Sequence, residues 1–267
     1  MKVTVVILLG LAALSVGCDS GNNFATLCEM HPEICNEFEE DSWCKKERID
    51  VGLANLADKE KPSELNKFNR LIAYESYSKC MAHASKIEHI KLKEKKTKRI
   101  NNWMKAQEKI EELSQETKNM DHPRLLYFHW TRYLDKEALQ KFLALEGTKA
   151  MENPESLFDL ATYYIKRDPD KTLGLLFHAL ELYEPQAKIN VEIFKSLSSI
   201  YADKNEPKQS YIWLKMLALY DPEDTDITEN TLVNFITQHN LEQAFLDKVA
   251  ASTLEKIEEG QFKAPKY

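Results

Sequence analysis

Glycine is scarce in this chain: only Gly52, Gly147, Gly174 and Gly260 follow Gly21 in 267 residues. Glycine-rich phosphate loops and dinucleotide fingerprints therefore have no material from which to be built. Alternating β-branched residues are also few, while Leu, Ala, Lys and Glu recur at three-and-four spacing. That pattern excludes a sheet-based fold and predicts an all-α one. None of the seven histidines falls in a metalloprotease-type helix motif. His83 and His89 take different helix faces; His122 and His129 share a face, but His129 sits among Leu126, Tyr127, Phe128 and Trp130, where a packed histidine is expected. No Gly-x-Ser-x-Gly elbow is present, and the abundant carboxylates are those of solvated helices in an acidic chain. No catalytic residue, metal or cofactor is expected. A dominant basic face is missing too: the formal charge is −7, which argues against nucleic acid as the main partner. Beyond Val16 no apolar run approaches the roughly 18 to 20 residues that span a bilayer.

What is present starts at the N-terminus. Lys2 supplies a positive n-region, Val3 to Val16 form an apolar stretch too short to span a bilayer, and Leu14, Ser15, Val16 and Gly17 lead into Cys18. This resembles a bacterial lipobox, with Ser15 where Leu is more usual. The resemblance implies a leader over 1–17, cleavage before Cys18 and acylation of that cysteine as the membrane anchor. The alternative is an ordinary signal peptide cut near Gly17. Cysteine parity favours the lipid, because setting Cys18 apart leaves four cysteines that can pair. Losing the leader removes Lys2, its only charged residue, and takes the formal charge from −7 to −8. Asp19 resembles the signal that retains lipoproteins in the inner membrane of enteric bacteria, so a periplasm-facing protein is expected, with the inner membrane favoured over the outer.

Residues 18–40 read as a tether with short disulfide-linked turns, and 41–119 as a long-helix region. Cys28, Cys35, Cys44 and Cys80 allow three pairings. Asp41 or Ser42 is expected to cap a helix running to about Ala57; Asp58 to Pro62 form a polar turn, and Ser63 caps a long helix carrying Leu65, Phe68, Ile72 and Tyr77. Cys44 and Cys80 then lie roughly 24 and 29 Å up two antiparallel helices and can face each other. That leaves Cys28 with Cys35 across His31 and Pro32. Metal binding by these cysteines with His31 or His83 is the alternative, disfavoured by the absence of a close Cys-x-x-Cys pair. The basic run from Lys91 to Arg99 is read as a solvated helix face or a helix junction, with contact to anionic headgroups as the other reading. Ile100, Trp103, Ile110 and Leu113 then resume an apolar stripe to about Asn119.

Residues 120–267 contain an internal repeat. At an offset of 37, Glu155 meets Glu192, Leu160 meets Leu197, Tyr164 meets Tyr201 and Lys171 meets Lys208. Leu180, Leu182, Tyr183 and Pro185 likewise meet Leu217, Leu219, Tyr220 and Pro222, making 8 identities in 31 aligned positions. A fixed period of this size means stacked helical hairpins. Asn153-Pro154 and Asp168-Pro169 each read as an N-cap followed by proline at the first helical position, and Pro207 repeats the device. Weaker units are expected at His122 to Gly147 and at Thr228 to Glu259.

The clear repeats, 153–222, resemble the tetratricopeptide and Sel1-like families. Leu157, Leu160, Ala161, Tyr164, Phe177 and Pro185, then Phe194, Leu197, Ser198, Tyr201, Leu214 and Pro222, fall on signature positions. Leu173, Ser210, Leu180 and Leu217 depart where Ala is preferred. The resemblance implies a disulfide-braced N-terminal helical hairpin layer followed by an α-α superhelix whose first helices line a concave groove. Matching groove positions are Glu155, Phe158, Thr162 and Lys166, then Glu192, Lys195, Ser199 and Asp203. Such a groove suits an extended or helical peptide of an envelope protein. The rival is an enzyme or small-ligand binder with a pocket between the two regions, lined by Trp103, Tyr127, Phe128, Trp130 and Tyr133. The Cys28 and Cys35 spacing, Trp43-Cys44 and the helical C-terminal half are similar to an uncharacterised lipoprotein family of marine gammaproteobacteria, which implies envelope location.

Overall fold

The computed structural model describes residues 28–88, 93–223 and 227–265. The leader, Cys18, Asp19, His89 and Lys91 lie outside the described residues. The rest is all-helical, with no strand among the described residues. In chain order the helices are α1 (Pro32–Cys35), α2 (Lys45–Glu60), α3 (Glu64–Ala84), α4 (Lys93–Thr117), α5 (Pro123–Tyr133) and α6 (Lys136–Ala144). They continue as α7 (Pro154–Tyr164), α8 (Pro169–Glu181), α9 (Glu192–Asp203), α10 (Pro207–Tyr220), α11 (Glu229–His239) and α12 (Gln243–Glu258). The described residues divide into two compact units: one of those in 28–62 and 69–111, the other of those in 63–68 and 112–265.

In the first unit both expected disulfides are present, Cys28–Cys35 with Cα atoms 5.4 Å apart and Cys44–Cys80 with Cα atoms 5.9 Å apart. The start of α2 differs from expectation. Neither Asp41 nor Ser42 caps it; Cys44 does so in the left-handed region at φ 54°, with no side-chain cap bond. Asp41 is otherwise engaged, accepting the Trp43 backbone N–H at 2.8 Å and pairing with Arg99. The helix also runs past Ala57, because Asp58 is a buried helical residue that accepts from Arg70 Nη1 at 2.8 Å rather than a turn residue. Ser63 does cap α3, its Oγ accepting the Asn66 N–H at 3.1 Å.

The buried face of α4 is also displaced. Leu113 of the expected stripe is buried, but Trp103 is 37% exposed, and Arg99, Asn102 and Ala106 turn inward instead. Polar anchoring explains the shift. Arg99 binds Asp41 through Nε at 3.0 Å and donates to the Ala84 carbonyl at 3.1 Å. Asn102 brackets the Glu39 backbone, accepting its N–H at 2.9 Å and donating to its carbonyl at 2.8 Å. These bonds tie the segment before α2 to α4, with Phe38 packed on Tyr77 at 4.3 Å between ring centres.

In the second unit the capping signals hold. Asn153 Oδ1 accepts the Ser156 N–H at 2.9 Å, Asp168 Oδ1 accepts the Lys171 N–H at 3.0 Å, and Pro154, Pro169 and Pro207 each stand in the first helical turn. The period of 37 is realised as two hairpins, α7 with α8 and α9 with α10. Leu160, Leu197, Leu180 and Leu217 are all fully buried. The repeated tyrosines converge on one loop: Tyr183 Oη accepts the Asn190 N–H at 3.0 Å and Tyr220 Oη accepts the Ile189 N–H at 2.8 Å. The repeated Leu219 is the exception, 44% exposed. Of the expected flanking units, α5 and α6 pack together as a hairpin, whereas α11 and α12 each pack mainly on α10. One apolar core runs from Leu157 through the second hairpin to Leu254 and Ile257 of α12.

The chain after α12 lies back on α8. Gly260 turns it at φ +67°, where a Cβ would stand 3.1 Å from Pro185 Cδ and 3.2 Å from the Tyr183 carbonyl. Phe262 stacks on Phe177 at 6.4 Å, and the Ala264 N–H donates to Glu181 Oε1 at 2.8 Å.

Candidate functional site

Seven of the eight groove positions are carried by α7 and α9, and the eight do not form one cluster. On α7, Phe158 is half-buried against the apolar core, Thr162 is exposed with its hydroxyl donating to the Phe158 carbonyl at 3.0 Å, and Lys166 lies beyond the helix end, exposed. On α9, Glu192, Ser199 and Asp203 are exposed, and Lys195 pairs with Glu192 at 3.2 Å, one turn away. An i, i+3 pair of this kind is a surface feature worth a few tenths of a kcal/mol, about 0.2 to 0.5.

Glu155 is different. It is held by residues that sequence patterning does not nominate. Arg124 Nη1 lies 3.4 Å from its Oε2, Asn190 Nδ2 donates to the same oxygen at 3.3 Å, and the Tyr183 hydroxyl reaches Oε1 at 3.4 Å. One turn along α7, Asp159 Oδ2 stands 2.8 Å from Arg124 Nε, an ion-pair distance without hydrogen-bond alignment. The Arg124 guanidinium also lies over the Phe68 ring, 4.4 Å from its centre. Burial pushes the Asp159 carboxyl up to about 7, against the pull of Arg124 and with a further push from Glu155. One guanidinium thus faces two carboxylates, one buried and one at the surface, in a site where a proton is readily gained or lost. The sequence signal for it was the i, i+4 spacing of Glu155 and Asp159, but nothing in the chain marks Arg124 as their partner.

A second feature is an apolar cleft of about 400 Å³ walled by Leu173, Gly174 and Phe177 of α8, Tyr201 of α9, and Ala264 and Pro265 of the returning chain. The ion pair Lys204–Asp170, at 2.7 Å, stands on its rim. A Cβ added at Gly174 would meet nothing within 4 Å.

The remaining candidates have structural roles. Tyr127, Phe128, Trp130 and Tyr133 make ring contacts within their own unit, as in Trp130–Tyr163 at 5.4 Å and Tyr127–Phe142 at 5.4 Å, while Trp103 belongs to the other unit. His122 caps α5, its Nδ1 accepting the Arg124 N–H at 3.2 Å. His129 is buried beside Thr117, Nε2 to Oγ1 at 3.0 Å, and burial holds its pKa below the ordinary value, the setting of a packed histidine. The sulfurs of Cys44 and Cys80 lie near a Glu47 oxygen but are bonded to each other, as are those of Cys28 and Cys35.

The family model described as "Protein of unknown function (DUF2989)" matches residues 15–215. The chain belongs to that family. No curated protein and no solved structure matches it. The family match covers both disulfides, the cluster around Arg124 and most of the two clear hairpins, and it stops within α10, before the returning segment that closes the apolar cleft.

Proposed function

We propose that this protein is a lipid-anchored, periplasm-facing adaptor that holds an extended or helical segment of an envelope protein in a tetratricopeptide-like groove, with Cys18 as the acylated residue and the inner membrane as the favoured site. The observation that carries this reading is the repeat itself. Two successive hairpins of equal period bury the same leucines, and the second helix of each starts with a proline, an arrangement like that of stacked repeats that offer an extended binding face. Thr162, Lys166, Glu192, Ser199 and Asp203 leave that face polar and exposed. Peptide side chains would be read there by charge, and the Arg124–Glu155–Asp159 cluster adds a site that responds to protons. The tetratricopeptide-like superhelix is part of the proposal, resting on the period and the signature positions. The apolar cleft favours a second reading, a binder of a small apolar ligand.

The test is site-specific photo-crosslinking in cells, with the crosslinker at Thr162 or Ser199, compared with Lys208 on α10 as an exposed control. A defined envelope product at the groove positions, absent at Lys208 and lost in Lys166→Glu/Lys195→Glu, is the expected result. Products unchanged by that pair of substitutions sink the groove reading in favour of the cleft.

A further inference from the structure

The first unit carries a feature that the adaptor reading does not use: a cleft of about 620 Å³ between the segment before α2, the first turn of α2 and the first turns of α4. Four cations line it, Lys45 and Arg48 from α2 and Lys95 and Lys98 from α4. In each pair the two residues stand one turn apart on the same helix, so the two helices present basic rows to a common space.

Three carboxylates also line the cleft, and they decide its charge. Asp41 is already engaged. The Arg99 guanidinium binds both its oxygens, at 3.0 and 3.3 Å, and both side chains are buried, 1% and 4% exposed. Burial opposes the charged form of Asp41, but the Arg99 bonds and the Trp43 N–H outweigh it and hold its pKa below the ordinary value. Asp41 is thus an anion whose charge Arg99 cancels inside the fold. Glu40 and Glu94 are the other two carboxylates of the lining, and both are exposed to solvent, where their field is screened. Lys98 also stands 3.8 Å from Glu39, with both side chains close to half exposed, a weak pair that an incoming anion can displace. The first turn of α2 has no side-chain cap, so its N–H groups add positive potential on the same side. Trp43, next to this segment, is 51% exposed with its ring 5.6 Å from the Arg99 guanidinium carbon, an arrangement suited to a membrane interface.

We infer that this cleft binds a phosphate-bearing anion, held by Lys45, Arg48, Lys95 and Lys98. The ammonium and guanidinium groups bind phosphate oxygens through charge-assisted hydrogen bonds, and Arg48 can do so bidentately. The anion is either a phospholipid headgroup or a free phosphate ester. The inference is independent of the peptide groove, which lies in the other unit.

The experiment uses the full chain carrying Cys18→Ser, so that no acyl group contributes. Inorganic phosphate is titrated by calorimetry. Separately, flotation is measured with vesicles of phosphatidylglycerol and phosphatidylethanolamine, taking phosphatidylcholine vesicles as the background for uncharged attachment. Lys95→Gln/Lys98→Gln is compared with a charge-matched pair, Lys248→Gln/Lys256→Gln on α12, and folding is checked by thermal melting. Lys45→Gln, on the exposed first turn of α2, serves if the first pair does not fold. Phosphate affinity that falls about tenfold or more in the cleft variant and not in the control supports a free-phosphate site. The same loss seen only with phosphatidylglycerol vesicles supports a headgroup site. Absence of phosphate binding, together with vesicle binding equal in cleft and control variants, overturns the inference.

Discussion

Asp159 shows how a single residue's chemistry depends on its setting. On sequence it is one of many acids on helices; in the fold its carboxyl is buried beside Arg124, and burial raises its pKa from 3.8 to about 7. The folded chain therefore keeps a proton on Asp159 between those values that the unfolded chain has lost. Stability must fall as pH rises through that window, because the native state binds more protons there than the unfolded state does. Asp159→Asn cannot lose a proton and should lack that component of the fall. Urea unfolding of both proteins at pH values spanning about 4 to 7 should give a stability difference that moves steadily toward the variant as pH rises. A difference that moves toward the wild type would mean that the Arg124 pair, and not burial, governs Asp159. Arg99 teaches the same lesson from the opposite charge: the basic run reads as a solvated face, yet Arg99 is 1% exposed because Asp41 folds back to meet it.

At the scale of elements, the two disulfides act on different structures. Cys44–Cys80 closes a sequence separation of 36 and joins the start of α2 to the end of α3, while Cys28–Cys35 closes a separation of 7 around the four-residue helix α1. Since the longer loop has more freedom to lose, Cys44→Ala/Cys80→Ala is expected to cost about 3 to 4 kcal/mol on unfolding and Cys28→Ala/Cys35→Ala about 2 to 3. Denaturant unfolding checks the order, and an equal or reversed cost would show that native packing around α1, and not loop entropy, sets it. The pairing itself was legible, because two antiparallel helices of known rise place Cys44 and Cys80 at similar heights. The start of α2 was not. Asp41 and Ser42 are good capping residues by type, but the Asp41 carboxylate finds a stronger partner in the Arg99 guanidinium, 58 positions along the chain, and no local rule registers that. The same pairing turns α4 so that Trp103, on the expected apolar stripe, is partly exposed while Asn102 is buried.

For the molecule as a whole, the proposed anchoring makes a direct claim: the wild type should sediment with membranes and take up labelled palmitate, and Cys18→Ser should do neither. Retention of Cys18→Ser in the membrane fraction would remove the lipid from the account and leave the apolar leader as the attachment. The two disulfides, the all-α class and the hairpin period of the C-terminal half were determined by the sequence alone, since cysteine positions on helices of fixed rise, leucines and tyrosines at an offset of 37, and prolines at helix starts are local or periodic signals. Only the tertiary structure decided which charges meet. Arg99 with Asp41, Arg124 with Glu155 and Asp159, and the four cations around the first-unit cleft are each joined across tens of residues by helix packing. Ion pairing depends on distance and burial in space, and sequence periodicity specifies which face of a helix is apolar but not which charge from another helix will stand opposite it.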